Sequence, residues 1–223
     1  MNVGISAEAG IPTFRGPGGL WERFDPSEYA TPEAFRRDPR KVWSWYRWRM
    51  ELAFRARPTR AHLILAQWER EGLLRGLVTQ NVDGLHREAG SVRVVEIHGS
   101  MRRVRCTSCP YREELTSPPE EVPPRCPECG SLLRPDVVWF GEPIPRRAWE
   151  EALEIFEGAR TALVVGTSAS VYPAASLPLL AAEGGAAVVE VNPGETPLSR
   201  AASVRIPLGA SEALELIERA RRR

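Results

Sequence analysis

The C-terminal third of the sequence alternates between apolar runs typical of buried strands and amphipathic runs typical of helices. Strand-like runs cover 161–165, 187–191 and 204–206, a helical run covers 174–183, and Ser211 is expected to cap a final helix. Strands that alternate with helices in this way are joined by crossovers, which give a parallel sheet with helices on both faces. The pattern predicts an α/β fold with a doubly wound parallel sheet.

The middle of the chain continues this pattern. Apolar runs at 73–78 and 92–97 predict two more strands, and a helical run covers 145–158. The amphipathic stretch from Thr59 to Glu71 predicts a helix that leads into the first of these strands, with Thr59 as its N-cap. His62, near the start of that helix, is expected only to cap or to pack.

Each predicted strand ends in a polar or glycine-rich turn. These turns are Thr79–His86 (TQNVDGLH), His98-Gly99-Ser100, Gly166-Thr167-Ser168 and Asn192-Pro193-Gly194. The carboxyl ends of parallel strands open on one edge of the sheet, where nucleotides bind. The glycine-rich stretch Gly4–Gly10 is a weak signal alone, but it adds to the same interpretation. The residues therefore predict a nucleotide-binding crevice, without specifying a reaction.

His98 follows one of these strand ends. A single histidine more often packs or caps than reacts, but the neighbouring turns are equally polar. Since an imidazole titrates near neutral pH, it can act as a general base on a hydroxyl group. His98 is therefore the candidate catalytic residue.

Four cysteines form two C-x-x-C pairs, with residues 110–125 between them: Cys106 and Cys109, then Cys126 and Cys129. Two such pairs supply the four thiolates of a tetrahedral zinc site, which leaves no open coordination position. A redox pair is disfavoured because neither motif begins a helix of a βαβ unit. We predict one structural Zn²⁺ site.

The bulk composition excludes little. A formal net charge of +1 gives no electrostatic reason to expect nucleic acid or a membrane surface as a partner. No apolar run approaches the roughly 20 residues that span a bilayer, and no signal-peptide pattern opens the chain. We expect a cytoplasmic protein that does not act at a membrane.

Taken together, these pieces resemble the sirtuins, the NAD-dependent protein lysine deacylases. The matching stretches occur in the family's order over nearly the whole chain: Gly4–Arg15, Thr79–His86, Glu96–Gly99, both cysteine pairs, Arg134–Glu142, Gly166–Ser168 and Val191–Asn192. The resemblance implies a Rossmann-type NAD-binding domain formed by residues 1–19, 60–101 and 136–223. It also implies a small domain built from a helical module, 20–59, and a zinc-ribbon module, 102–135.

The resemblance also implies roles for individual residues. His98 would activate a ribose hydroxyl of NAD, and the reaction would yield nicotinamide, O-acyl-ADP-ribose and deacylated lysine. The NAD contacts would come from Gly4, Ala7, Phe14, Arg15, Gln80, Asn81, Asp83, Gly166, Thr167, Ser168, Asn192 and Ala210. Proteins carrying acylated lysines would bind as an added strand along Val138, Phe140, Gly141 and Glu142.

Tyr46 and Arg49 resemble the Tyr-x-x-Arg signature of family members that remove succinyl and malonyl groups. Residues three apart on a helix reach the same side, and an arginine fork pairs a carboxylate bidentately. The alternative is that Arg49 is one of many surface arginines; the local match favours the functional interpretation. The resemblance therefore implies deacetylation together with desuccinylation or demalonylation.

The sequence departs from the family at its start. Sirtuins normally carry a hydrophobic strand and a Gly-Ala-Gly turn ahead of Ile5-Ser6, where this chain has Asn2-Val3-Gly4. A start assigned too far downstream, or a truncation, is the working hypothesis. We expect a gap or an open edge in the sheet and weaker phosphate binding.

Two other functions remain open from the residues. A zinc-ribbon nucleic-acid module would need basic clustering near the cysteines, where Arg102, Arg103 and Arg105 are countered by glutamates at 113, 114, 120 and 121. Mono-ADP-ribosyl transfer would use the same NAD pocket with another acceptor.

Overall fold

A computed structural model describes residues 4–14 and 18–223. Asn2, Val3 and Arg15 lie outside the described residues. The helices are α1 (Leu20–Arg23), α2 (Pro26–Tyr29), α3 (Pro32–Arg37), α4 (Pro39–Arg55), α5 (Arg60–Arg70), α6 (Leu85–Glu88), α7 (Arg146–Phe156), α8 (Leu177–Glu183) and α9 (Ala210–Arg221). The strands are β1 (Leu77–Thr79), β2 (Val94–Glu96), β3 (Gly99–Cys106), β4 (Arg112–Glu114), β5 (Leu133–Val137), β6 (Thr161–Val165), β7 (Ala187–Val191) and β8 (Val204–Ile206). Short 3₁₀ turns cover Ala7–Ala9, Ala174–Ser176 and Pro197–Arg200.

The large domain contains the predicted parallel strands and their helices. β1 pairs with β2, and β6, β7 and β8 pair in that order; every one of these pairs is parallel. β1 begins at Leu77 rather than Leu73, whose side chain is exposed in the turn after α5. The α/β prediction is confirmed, with strands shorter than the apolar runs suggested.

The predicted N-cap of the last helix is wrong. α9 begins at Ala210 with Gly209 as its cap residue. The Ser211 hydroxyl instead donates a hydrogen bond to Glu8, which comes from the other end of the chain. A tertiary partner has therefore replaced the local cap that the sequence suggested.

The parallel sheet is divided into two parts. Within the described residues no strand lies between β1 and β6, and these two strands do not pair with each other. A cavity of about 660 Å³ is lined by both strands together with Leu65, Trp68 and Ile155. The gap expected from the sequence is therefore present in the structure, and one edge of each strand borders it.

The small domain combines α1–α4 with an antiparallel sheet in the order β4-β3-β5. One apolar core joins both parts, and the indole of Trp43 on α4 donates a hydrogen bond of 2.8 Å to the Leu133 carbonyl on β5. The expected domain boundaries at 101/102 and 135/136 fall inside β3 and β5. These two strands run without a break from the large domain into the zinc module.

His62 and His86 are buried side by side beneath the parallel strands. His62 forms a capping box with Thr59, whose backbone N–H donates to His62 Nδ1 at 3.1 Å. The two rings lie 4.6 Å apart, and burial lowers the pKa of His62 to about 4 and that of His86 to about 3. The expected capping role of His62 is confirmed, and both rings are neutral at pH 7.

Within residues 4–14 and 18–223, the helices are too short or too polar to cross a bilayer.

We predict that β6 exchanges its backbone hydrogens in two distinct phases. β7 is paired on both sides over Val189–Val191, whereas among the described strands β6 pairs with β7 alone. Amide groups of β6 that face the cavity lack a strand partner and should exchange faster than those bonded to β7. Hydrogen–deuterium exchange read by NMR measures this, and uniform protection across β6 and Val189–Val191 would contradict the divided sheet.

Candidate active site

The ends of the parallel strands bring together side chains that are far apart in the sequence. Gln80 Nε2 donates to Thr167 Oγ1 at 3.3 Å, which connects the turn after β1 to the turn after β6. Asn192 Nδ2 donates to the Thr167 carbonyl at 2.8 Å, which connects the turn after β7. Three of the turns predicted to form the crevice therefore meet at one edge.

The N-terminal glycine loop lies against the end of β6. A Cβ atom on Gly4 would lie 3.1 Å from Gly166 Cα, and one on Gly166 would lie 2.8 Å from Gly4 N. Gly166 also has a φ of +62°, a conformation that side chains disfavour. The two glycines let the loop backbone pack directly against the end of β6, at the carboxyl edge of the sheet where the phosphates of a dinucleotide bind. The observed residues fit the diphosphate of NAD.

Glu8 fastens this loop to the start of α9. The backbone N–H of Ser211 donates to Glu8 Oε1 at 3.1 Å, beside the buried residue Ala210. Ala7 begins the 3₁₀ turn that carries Glu8. Two predicted cofactor residues, Ala7 and Ala210, are thus held at the same edge as the strand ends.

Ser6 connects the glycine loop to two further predicted cofactor residues. Its hydroxyl accepts a hydrogen bond of 2.6 Å from Asn81 Nδ2 and donates one to the Asp83 carboxylate. Burial raises the pKa of Asp83, and bonds from the Leu85 N–H and from Ser6 lower it; the net direction is upward. Sequence reasoning did not single out Ser6, although its place inside the glycine stretch was a usable signal.

A second cavity, of about 220 Å³, adjoins these loops. It contains His98, and it shares Phe14 and Gln80 with the predicted cofactor contacts. Gly99 sets the orientation of the turn, because a Cβ there would lie 2.1 Å from the Asp136 carbonyl oxygen. The structure therefore holds the predicted base inside a cavity, against β5.

The imidazole of His98 is neutral at pH 7. Partial burial lowers the pKa of His98 to about 4, while a hydrogen bond to the Gln80 backbone acts in the opposite direction. A neutral ring has a lone pair available to accept a proton. Its placement suits general-base chemistry.

Tyr46 and Arg49 also line the 220 Å³ cavity. The Arg49 guanidinium lies 4.3 Å from the Phe14 ring centroid and 4.7 Å from that of Trp45. Tyr46 Oη accepts a hydrogen bond of 2.9 Å from Trp139 Nε1, so its own hydrogen is free to be donated. Within the described part of the chain, Arg49 has no hydrogen-bond or ion-pair partner. Arg49 is therefore a buried cation, not a surface arginine.

The predicted peptide channel forms the rim of this cavity. It includes Val138, Phe140, Gly141 and Glu142. Phe140 is half exposed, and Gly141 is exposed with a φ of +85°.

The Glu142 carboxylate is already bound by Arg134 at 2.6 and 2.9 Å and by the Trp139 N–H at 2.9 Å. Burial raises the pKa of Glu142, but these bonds outweigh it and lower the pKa overall. Glu142 thus shapes the rim with its side chain.

The four cysteines come together as the spacing predicted. Their sulfur atoms all lie within 4.8 Å of one another. Cys106 Sγ and Cys129 Sγ are 3.4 Å apart, and Cys109 Sγ and Cys126 Sγ are 3.6 Å apart. Four thiolates at this spacing can surround one tetrahedral ion. The donor set fits a structural Zn²⁺ that joins the end of β3 to the loop before β5.

The three arginines considered for a nucleic-acid surface are paired with carboxylates. Arg102 bonds Glu88 at 2.7 Å, Arg103 bonds Glu96 at 2.8 Å, and Arg105 lies 3.3 Å from Glu142. Their charge is therefore balanced locally.

Fold and sites together define a nucleotide-binding enzyme with a zinc-stabilised module. The chain belongs to the Sir2 family, whose model matches residues 2–173. It is 56% identical over 222 residues to NAD-dependent protein deacylase 2 of Pyrobaculum aerophilum, covering 99% of this chain and 89% of that protein. It is 52% identical over 218 residues to the NAD-dependent protein deacylase of Aeropyrum pernix, covering 98% and 89%.

Solved structures of Sir2 proteins also resemble this chain over nearly its whole length. A Sir2 homologue in complex with ADP-ribose superposes with a TM-score of 0.96 at 51% identity, covering 99% of this chain and 89% of that one. A Sir2 homologue in complex with NAD gives 0.93 at 52% identity, covering 99% and 87%. A Sir2 protein with a deacetylated p53 peptide and 3′-O-acetyl ADP-ribose gives 0.90 at 33% identity, covering 98% and 90%.

We predict that Ser6→Ala weakens NAD binding by about 10-fold or more, because Asn81 and Asp83 each lose a buried hydrogen-bond partner. Isothermal titration calorimetry measures the affinity. Ser91→Ala is the matched control, because the Ser91 hydroxyl is buried without a hydrogen-bond partner among the described residues. Equal affinities for the Ser6 and Ser91 variants would contradict the role of Ser6.

Proposed function

We propose that this protein is an NAD-dependent protein-lysine deacylase that converts NAD, acyl-lysine and one water into nicotinamide, O-acyl-ADP-ribose and the deacylated lysine. The observation that carries the proposal is the placement of His98 in a cavity that shares Phe14 and Gln80 with the cofactor loops. The lowered pKa of His98 fits this role, because it leaves the ring neutral at pH 7. Membership of the Sir2 family and the deacylases among its relatives support it.

The residues divide the chemistry between them. Bound NAD supplies an electrophilic ribose carbon with nicotinamide as the leaving group. His98 accepts the proton of a ribose hydroxyl at a ring nitrogen, and Asn81 and Asp83 orient the nicotinamide half. The apolar and aromatic walls around His98 keep bulk water out, which strengthens electrostatic effects inside the cavity.

Acylated-lysine proteins are the proposed partners. Gly141 exposes its backbone on the rim of the cavity, beside Phe140. An extended peptide can hydrogen-bond to exposed backbone of this kind as an added strand. The acyl-lysine would then enter the cavity side-on and reach the neighbourhood of His98.

We also propose that the preferred acyl group ends in a carboxylate, as succinyl and malonyl groups do. Burial lowers the pKa of Arg49 to about 10, so the guanidinium remains charged at pH 7. Asp83 interacts with this cation electrostatically but forms no direct ion pair with it, so a bound acyl carboxylate would lower the cost of burying the charge. Tyr46 adds a hydroxyl donor from the preceding turn of α4, and burial raises the pKa of Tyr46, which keeps that proton in place.

One incubation tests the overall proposal. The protein, NAD and an acyl-lysine peptide are combined, and nicotinamide and the peptide mass are followed by mass spectrometry. Release of nicotinamide with a matching loss of the acyl group is the expected result. Nicotinamide release with a peptide that gains ADP-ribose would instead identify an ADP-ribosyl transferase, and no nicotinamide release would overturn both.

We predict that Arg49→Met lowers kcat/KM for succinyl-lysine peptide by about 100-fold, because a charge-paired hydrogen bond is lost. Deacetylation should change by only a few-fold, since methionine fills the same aromatic surroundings. Arg47→Met, on the exposed side of the same helix, is the control and should leave both activities unchanged. Equal loss of both activities in the Arg49 variant would contradict the proposal that Arg49 binds the carboxylate of the acyl group.

We predict that kcat/KM for NAD has no acid limb near pH 6.5. A group with its pKa lowered to about 4 stays neutral, and thus able to accept a proton, throughout pH 5–8. The rate should therefore be flat over that range and fall only as pH approaches 4. A titration midpoint near the ordinary histidine value would argue against His98 as the base in its observed environment.

A further inference from the structure

Glu190 is a buried carboxylate that no step of the reaction uses. It lies on β7, two residues before Asn192, and is 1% exposed. Its carboxylate accepts a hydrogen bond from the Ser199 hydroxyl at 2.6 Å and another from the Thr196 hydroxyl. Ser199 lies in the 3₁₀ turn Pro197–Arg200 that follows the Asn192 loop, and Thr196 caps that turn.

The loop between Asn192 and Thr196 is fixed at its other end as well. Asn192 Nδ2 donates to the Thr167 carbonyl at 2.8 Å, and the Gly194 N–H donates to Asn192 Oδ1 at 3.2 Å. Arg205 on β8 lies 3.8 Å from Glu190 and 3.1 Å from Glu195. Glu190 is thus the buried end of a network that holds both sides of this loop.

Stability alone does not account for a carboxylate at this position. Burying a charge is costly unless hydrogen bonds and ion pairs compensate it, and an apolar residue of similar size often serves stability as well. A fully satisfied polar network instead specifies one conformation of the chain around it. Here the chain that it specifies is the turn after β7, which carries Asn192.

We propose that Glu190 is a positioning residue for the adenosine half of NAD. Through Thr196 and Ser199 it fixes the turn after β7 so that Asn192 faces the cofactor beside Thr167. The inference rests on the NAD site of the proposed function and adds a residue that does not itself touch the cofactor.

Glu190→Gln tests this with little change in volume. Thr196 Oγ1 already accepts from the Leu198 N–H, and Ser199 Oγ accepts from the Thr196 N–H. In the glutamine variant, an NH2 group replaces one of the two carboxylate oxygens of residue 190. One of the two hydroxyls then loses the acceptor to which it donates and faces a second donor instead. We expect the Kd for ADP-ribose and the KM for NAD to rise about 10-fold, with kcat at saturating NAD within about two-fold. Nicotinamide inhibition should be unchanged, since that half of the cofactor lies elsewhere.

Two further variants separate positioning from plain stability. Ser199→Ala should raise the KM for NAD in the same direction, by a smaller factor. Glu218→Gln alters another buried carboxylate, which ties α9 to Trp68 on α5 at 2.6 Å, away from the cofactor loops. It should lower the melting temperature and leave the KM for NAD unchanged.

The outcomes are distinct. If the Glu190 variant has a lower melting temperature but an unchanged KM for NAD, as expected for the Glu218 variant, the positioning role is wrong. The role is also wrong if only kcat falls. Calorimetric titration with ADP-ribose requires no acyl substrate. If the wild-type protein fails to bind ADP-ribose, the NAD site itself is wrong; if wild type and variant bind it equally, only the role of Glu190 is wrong.

Discussion

Packing between α5 and α9 holds the two parts of the large domain together. β1 and β6 do not pair, and no other strand within residues 4–14 and 18–223 links β1–β2 to β6–β8. A shared apolar core crosses instead: Ile64 and Leu65 of α5 and Leu214 of α9 pack with Leu77 of β1, and Leu163 of β6 packs against the same cluster. The alignment of the strand ends, and with it the crevice, depends on this apolar core.

Side-chain hydrogen bonds at the carboxyl edge of the strands then fix the positions of the turns that carry the predicted cofactor residues. Gln80 to Thr167 and Asn81 to Ser6 are side-chain bonds between segments that the gap separates. Such bonds are individually modest, of the order of 1 kcal/mol each. The cofactor turns are therefore positioned by several weak contacts and one apolar core, so a ligand that touches both sides of the gap should stabilise the domain by mass action.

The sequence predicted the helices and strands better than the long-range side-chain contacts between them. Strand–helix alternation was sufficient for the fold class, and cysteine spacing was sufficient for the zinc site. The network of Glu190 could not be read from the chain, because Thr196 and Ser199 look like ordinary loop residues until β7 is placed beside them. The wrong cap at Ser211 has the same origin, since its actual partner, Glu8, lies some two hundred residues away. Local patterns report local structure, and functional contacts here are mostly long-range.

A comparison of two buried arginines shows what distinguishes a structural cation from a binding one. Arg134 lies 3.3 Å from the Trp139 ring centroid and is also bound by Glu142 through two hydrogen bonds. Arg49 lies over the Phe14 and Trp45 rings in the same way, but within the described residues it forms no hydrogen bond or ion pair with a carboxylate, and Asp83 interacts with it only at longer range. Aromatic faces offset only part of the desolvation of a guanidinium. An internal carboxylate therefore binds Arg134 directly, whereas Arg49 can still pair with a carboxylate that enters the cavity, which is the physical basis for expecting an acidic acyl group there.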